Sequence, residues 1–274
     1  MFERILVPYD GGQSAQIALE QALSIAQRHG GVIHGLTVFD PMPYTAEPLL
    51  TDLGGGLNPQ PADFSLQTEL LSAAEQVAKE NLSRLEKGCQ EAGVRCVVQM
   101  RTGEVTTQVL EAAHQADLMV LARPAGAPQP RRLEEAWVRR SPVPVWLAVE
   151  APDEPGQILL AYDGGIRADD ALRVAARLAQ SWGLPLALRV VREEGGVDQS
   201  TLQQAKGLLH ELNVDPVSAE LLFGKPGELL VSLTRPRSLL VMGTHGHGAF
   251  LGLSFGRTVD QVVRGGKGPL LICP

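Results

Sequence analysis

The densest run of chemically useful backbone is Gly243-Thr-His-Gly246-His-Gly248-Ala-Phe-Leu-Gly252-Leu-Ser-Phe-Gly256-Arg-Thr-Val-Asp, with five glycines in fourteen residues. Lacking Cβ atoms, such a run lets successive N–H groups converge on an anion. From Gly256 onward the pattern becomes that of a helix start, where unpaired N–H groups and the positive end of the helix dipole favour phosphate. Arg257 follows at once, and Arg264 and Lys267 add positive charge further along. The segment reads as a phosphate cradle, against the alternative of a glycine-rich loop that holds nothing. His245 and His247 lie two apart, but no third ligand accompanies them, which favours loop or phosphate-contacting histidines over a metal site.

An acidic side chain stands at a second place, in Tyr162-Asp163-Gly164-Gly165, with Tyr9-Asp10-Gly11-Gly12 as its counterpart. A carboxylate there can accept hydrogen bonds from ribose hydroxyls or a base amine, and the equally open alternative is that it caps its own turn or helix. Val191, like Val38, ends an apolar run where it could pack on an adenine ring, although taken alone such a residue is ordinary core. Nothing marks rapid catalysis. Ser200, Ser232 and Ser238 lie in no G-x-S-x-G elbow, G-x-x-x-x-G-K-[S/T] is absent, and no carboxylate for Mg²⁺ or base for an attacking water is evident.

Bringing these residues together requires a scaffold, and the chain writes it twice. Ile5-Leu-Val-Pro-Tyr-Asp-Gly-Gly12 returns as Ile158-Leu-Leu-Ala-Tyr-Asp-Gly-Gly165 at an offset of 153, each followed by a helical pattern that stops at Gly30 or Gly183. Gly103 matches Gly224 at an offset of 121, so the first copy carries 32 extra residues between these landmarks. Most of the excess falls in residues 41–65, whose five prolines and Gly54-Gly55-Gly56 predict a loop or flap. The polar linker Glu150-Ala-Pro-Asp-Glu-Pro-Gly156 places the cut near 151 and predicts domains over 1–150 and 151–274.

Within each copy short apolar runs, such as Arg4–Pro8, Val32–Val38, Val94–Met100, Leu118–Ala122 and Val143–Val149, alternate with amphipathic segments. Ala15, Ala18, Leu19, Ala22, Ile25 and Ala26 form one stripe, with Ser14 near its start; Leu70, Ala73, Ala74, Val77, Ala78 and Leu82 form another in the long segment Leu66–Ala92. Strands of this length alternating with helices predict two tandem doubly wound α/β domains with buried parallel sheets.

Composition narrows the function classes. The chain has 274 residues, a mean hydropathy of +0.01 and 44% hydrophobic residues, enough for ordinary cores. No apolar run reaches the roughly 18–20 residues of a membrane helix, and the opening residues carry no signal-peptide profile. Cys89, Cys96 and Cys273 have neither disulfide nor zinc spacing, so a soluble cytoplasmic protein is expected. A net charge of −7 argues against general nucleic-acid binding. The first 150 residues hold 12 Lys and Arg against 18 Asp and Glu, the remainder 12 against 13, which makes the second half the better host for an anion.

These motifs resemble the universal stress protein family in its tandem two-domain form: an early strand ending in Asp-Gly, and a late G-x2-G-x9-G-[S/T] signature whose glycine spacings Gly243, Gly246 and Gly256 satisfy. The resemblance implies a Rossmann-like, adenine nucleotide alpha hydrolase-like fold with five strands per domain in the order 3-2-1-4-5. It implies ATP in the second domain, with Asp163 and Val191 at the adenosine and Gly243, Gly246, His247 and Gly256 at ribose and phosphates; Mg²⁺ is left open. Arg257 stands where the signature has Ser or Thr, and Thr258 comes one place late. An arginine there either forks onto a phosphate or crowds the terminal one, which would favour ADP or AMP. In the first copy Ala122 and Ala125 replace Gly243 and Gly246, and Pro124, Pro128 and Pro130 remove backbone donors, so Asp10 is expected to survive without a working phosphate site. The family's terminal strands commonly pair two domains, which implies an internal pseudo-dimer and leaves room for a homodimer. A regulatory or stress-protective role follows from the resemblance, with a slow ATPase or phosphotransfer enzyme and a nucleotide-independent scaffold as alternatives.

Overall fold

The computed structural model describes residues 1–42, 61–123, 132–149, 154–193, 198–244 and 257–274, apart from the side chains of 61–67 and 132–134. The first repeat runs β1 (Arg4–Pro8), α1 (Gln13–His29), β2 (Val32–Phe39), α2 (Pro61–Glu91), β3 (Cys96–Thr102), α3 (Val105–Ala113), β4 (Leu118–Arg123), α4 (Arg132–Arg140) and β5 (Val145–Val149). The second runs β6 (Gln157–Ala161), α5 (Ile166–Trp182), β7 (Leu186–Arg192), α6 (Gln199–Glu211), β8 (Ser218–Phe223), α7 (Pro226–Leu233), β9 (Ser238–Gly243), α8 (Arg257–Gly265) and β10 (Leu270–Cys273). Each repeat is a doubly wound parallel sheet, in the orders β3-β2-β1-β4-β5 and β8-β7-β6-β9-β10. The expected order holds in both.

Local chemistry explains the elements. Strand β4 is buried along its whole length, as strands covered by helices on both faces must be. Helix α1 buries Ala15, Ala18, Leu19, Ala22, Ile25 and Ala26, the stripe read from the sequence, and ends at Gly30 with φ 69°; α5 ends likewise at Gly183 with φ 63°. Only glycine enters that left-handed region at little cost, so it stops the helix there. The N-caps are Gly12 and Gly165, so Ser14 lies inside the helix and caps nothing.

Two details of the long first-repeat helix depart from expectation. It starts at Pro61, so residues 61–65 are helical and not loop; proline is tolerated at a first helical position, where its missing N–H has no partner to lose. Residues 43–60 of the expected flap lie outside the described residues. Its packed face is Ala78, Asn81, Leu85 and Cys89, while Leu70 and Val77 stay exposed at 47% and 55%. The polar Asn81 hides that stripe from a hydrophobicity reading. Its side chain is nonetheless satisfied, donating to the Asp10 carbonyl at 2.8 Å.

The two repeats join edge to edge. β5 and β10 pair antiparallel, with Val145, Trp146 and Leu147 opposite Ile272, Leu271 and Leu270, which makes one ten-stranded sheet. Buried Arg123, at the end of β4, donates to the carbonyls of Val263 and Gly266 where α8 ends, matching a cation to the negative end of that helix. Arg264 of α8 bonds Glu135 of α4 at 3.3 Å. On the opposite face His29 and Trp182, pseudo-equivalent residues closing α1 and α5, meet: the Trp182 indole N–H donates to His29 Nε2 at 2.7 Å, with Arg28 4.9 Å above the Trp182 ring.

That bond requires an unprotonated Nε2, and burial, the chain's amino group and Arg28 all push the His29 pKa down. Because the folded pKa lies below the unfolded value near 6.5, the stabilisation is fully present above that value and is lost as pH falls through and below it. Thermal unfolding between pH 7.5 and 5 should therefore show a smaller loss of Tm for His29→Phe than for the parent.

Candidate functional site

The second repeat sets the expected residues around the switch point at which β7 and β9 flank β6. Just beyond β6, the Tyr162 N–H donates to the Arg189 carbonyl at 2.9 Å, and the Tyr162 hydroxyl donates to Asp169 Oδ1 at 2.6 Å. Burial, followed by that acceptor, raises the phenol's pKa and keeps it a donor. The chain then turns through Gly164, at φ 81°, and Asp163 Oδ1 accepts the Gly165 N–H at 3.0 Å. One carboxylate oxygen thus holds the turn, as the capping alternative foresaw. The other has no partner among the described residues and is placed to accept from a ligand.

Val191, near the end of β7, is partly buried against the core beneath α7 and α8. Gly243 closes β9 directly under the first turn of α5: a Cβ there would lie 2.7 Å from the Arg167 carbonyl carbon and 2.8 Å from its oxygen. This glycine is demanded by helix–strand approach, quite apart from any phosphate. Arg257 opens α8 and is exposed, with Thr258 behind it. The structure therefore brings Asp163, Val191 and Gly243 to the carboxyl ends of three adjacent strands, and places Arg257 and Thr258 at a helix N-terminus. Gly246, His247 and Gly256, with His245, lie outside the described residues. Among the described residues no group of three or more His, Cys, Asp and Glu side chains could hold a metal.

The positive charge is supplied differently from the sequence reading. Arg264 is taken up by Asp260 at 3.0 Å and Glu135 at 3.3 Å, away from a cradle role, and Lys267 is exposed. Superposing the repeats by shared backbone bonds exposes four cations that motif reasoning missed. Tyr9 and Tyr162 donate to Leu36 and Arg189; Gly103 and Gly224 donate to Phe39 and Arg192. Ser14 and Arg167 are second residues of α1 and α5, and Glu104 and Lys225 are the N-caps of α3 and α7. At each of these four pairs the second repeat is the more positive.

Their engagement differs. Arg189 reaches sideways to Ser218 Oγ at 3.0 Å and Glu220 at 3.2 Å, leaving its Nε buried without a partner among the described residues. Arg167 donates to the Pro274 oxygen at 2.9 Å. Lys225 pairs with Glu228 at 3.0 Å and leaves the first turn of α7 without a side-chain cap. Glu104 does the opposite: it accepts from the N–H groups of Thr106 and Thr107 and from the Thr107 hydroxyl, which hold its carboxyl down to about 2. The N-terminus of α3 is thus already occupied by an anion of the chain itself. An Arg inside the apolar run Leu186-Ala-Leu-Arg-Val-Val, set against Leu36 at the 153-residue offset, was the available signal for Arg189.

The equivalent cleft of the first repeat encloses about 430 Å³ between the ends of β1, β2 and β4, the start of α1, and helices α2, α3 and α4. Asp10 holds its turn in the same way, with Oδ1 accepting the Gly12 N–H at 2.9 Å.

The strand order and the first-repeat cleft together define a doubly wound α/β protein that opens beyond the carboxyl ends of its strands. A family model described as the universal stress protein family matches residues 1–148 and again 155–274, and the chain belongs to that family. Among solved structures, a universal stress protein from Archaeoglobus fulgidus aligns with a TM-score of 0.71 at 19% identity, covering 98% of this chain and 97% of that one. A functionally unknown protein from Pseudomonas aeruginosa aligns with a TM-score of 0.63 at 14% identity, covering 99% and 92%. At these identities the likeness is one of fold. No curated protein sequence matches the chain.

Substituting Gly243→Ala should cost about 1–3 kcal/mol, because the new methyl group meets backbone and not a flexible side-chain end. The reverse change at the counterpart, Ala122→Gly, should cost only about 0.5–1 kcal/mol. Chemical denaturation of the two variants checks the contrast.

Proposed function

We propose that the second repeat binds an adenine nucleotide and that the protein acts as a regulatory or stress-protective nucleotide sensor in the cytoplasm. The reading rests above all on the cationic rim that Arg167, Arg192, Lys225 and Arg257 give to the strand ends around Asp163. Anions favour such a site, and the free N–H groups at the starts of α7 and α8 suit phosphate oxygens. In this reading Asp163 accepts from the ribose or base and Val191 packs on the adenine. Gly243, Gly246, His247 and Gly256 carry backbone to the ribose and phosphates, while Arg257 and Thr258 hold the outermost phosphate. A guanidinium at 257 can fork onto a phosphate where a hydroxyl would make one bond, or crowd the terminal phosphate, in which case ADP and AMP compete with ATP for the site. Among the described residues no helix is long and apolar enough to cross a membrane.

Isothermal titration of the intact chain with ATP, ADP and AMP should give one equivalent of binding. Asp163→Ala should weaken it at least tenfold, about 1.4 kcal/mol, and Asp10→Ala should leave it unchanged. Two equivalents, or loss of binding in Asp10→Ala, would transfer the site to the first repeat. Incubation with ATP and Mg²⁺ checks the enzyme alternative: turnover abolished by Asp163→Ala would replace a sensor with a slow hydrolase.

A further inference from the structure

The first-repeat cleft keeps the position of a ligand site while its chemistry is inverted. Its volume of about 430 Å³ falls in the range of small-molecule sites, roughly 300–1,000 Å³. Its charged lining residues are Asp10 and Asp40; no Lys, Arg or His lines it among the described residues. Leu36 and Phe39 stand where the second repeat has Arg189 and Arg192. Among the described residues a phosphate or other anion entering here would find no cation to replace its water, and it would meet the carboxylates of Asp10 and Asp40 in a medium less polar than water.

The walls supply what such a cleft can reward. Val109 and Ala122 are fully buried, Trp137 offers a broad aromatic surface, and Ala74 and Val77 of α2 close one side. That side is peculiar to this repeat: α2 has 31 residues where α6, its counterpart, has 13. Apolar surface of this kind favours any molecule that leaves water for it, at roughly 25 cal/mol per Å². Ser14, facing the cleft where the second repeat carries Arg167, has a hydroxyl with no protein partner among the described residues, and it can donate or accept.

We propose that the first repeat carries a second binding site, for an electrically neutral, mainly apolar small molecule with a single polar group and no phosphate. The inference is independent of the nucleotide reading, because it concerns the other cleft and the opposite ligand chemistry. The molecule seats its apolar body between α2 and Trp137 and turns its polar group to Ser14.

Prodan, a neutral naphthyl ketone whose emission shifts to the blue when it leaves water, is the probe, added to the intact chain. Saturable binding of one equivalent with a blue shift is expected. Anilinonaphthalene sulfonate, an anion on the same ring system, should bind at least tenfold more weakly at low ionic strength. Ala74→Trp, which fills the cleft from a partly exposed position, and Val77→Asp, which charges its exposed edge, should each weaken prodan at least tenfold with circular dichroism and Tm preserved. Excess ATP should not displace it. Absence of saturable binding overturns the proposal, as does binding untouched by both substitutions or competed away by ATP.

Discussion

The antiparallel pairing of β5 with β10 is the contact on which the rest of the architecture depends. β10 has four residues, all buried, and is held on one side by β9 and on the other by β5. Without it, each repeat would present an open apolar strand edge at the same place, the surface from which sheets aggregate. With it, the core beneath α1 and α5 runs without a break from Phe2 and Ile5 through Trp146 to Leu271 and Ile158. Arg123, the ion pairs between α4 and α8, and the His29–Trp182 contact clasp the seam on both faces, but they decorate a joint already made by main-chain hydrogen bonds and apolar burial.

That joint also fixes where chemistry occurs. Strands within a repeat are parallel, and the one antiparallel junction reverses the direction between repeats, so the two sets of carboxyl ends lie at opposite rims of the sheet. The described lining of the first-repeat cleft comes entirely from that repeat. The character of each rim is then set by a handful of side chains on a shared backbone: serine, leucine, phenylalanine and glutamate at one rim; three arginines and a lysine at the other. Hydrogen bonds between equivalent amides and carbonyls persist through these exchanges, which shows that the scaffold is indifferent to the charges it displays.

Much of this was legible in the sequence. The alternation of strands and helices, the helix ends at Gly30 and Gly183, and the buried stripe of α1 follow from apolar periodicity and from glycine's access to positive φ, both local properties, whereas the strand order came only with the family resemblance. What escaped depended on partners distant along the chain. The packed face of α2 contains Asn81, polar by type but satisfied by the Asp10 carbonyl 71 residues away. Arg264 reads as a cation near a phosphate loop until Glu135 of the other repeat is set beside it. Gly243 reads as a backbone donor, whereas its want of a side chain answers first to the close passage of α5. Arg167, Arg192 and Lys225 of the cationic rim were missed because no motif contains them; they emerge only when equivalent positions of the two halves are compared through their backbone bonds.

Covalent continuity across the seam has a consequence for how such a protein can change over generations. Two identical subunits joined through their fifth strands would be bound by symmetry: any substitution in one cleft would appear at once in the other, and a mutation that improved one ligand could not spare its twin. A single chain is released from that obligation. The four-residue strand that closes this sheet thus preserves the geometry of a symmetric pair while letting the halves accumulate separate specificities.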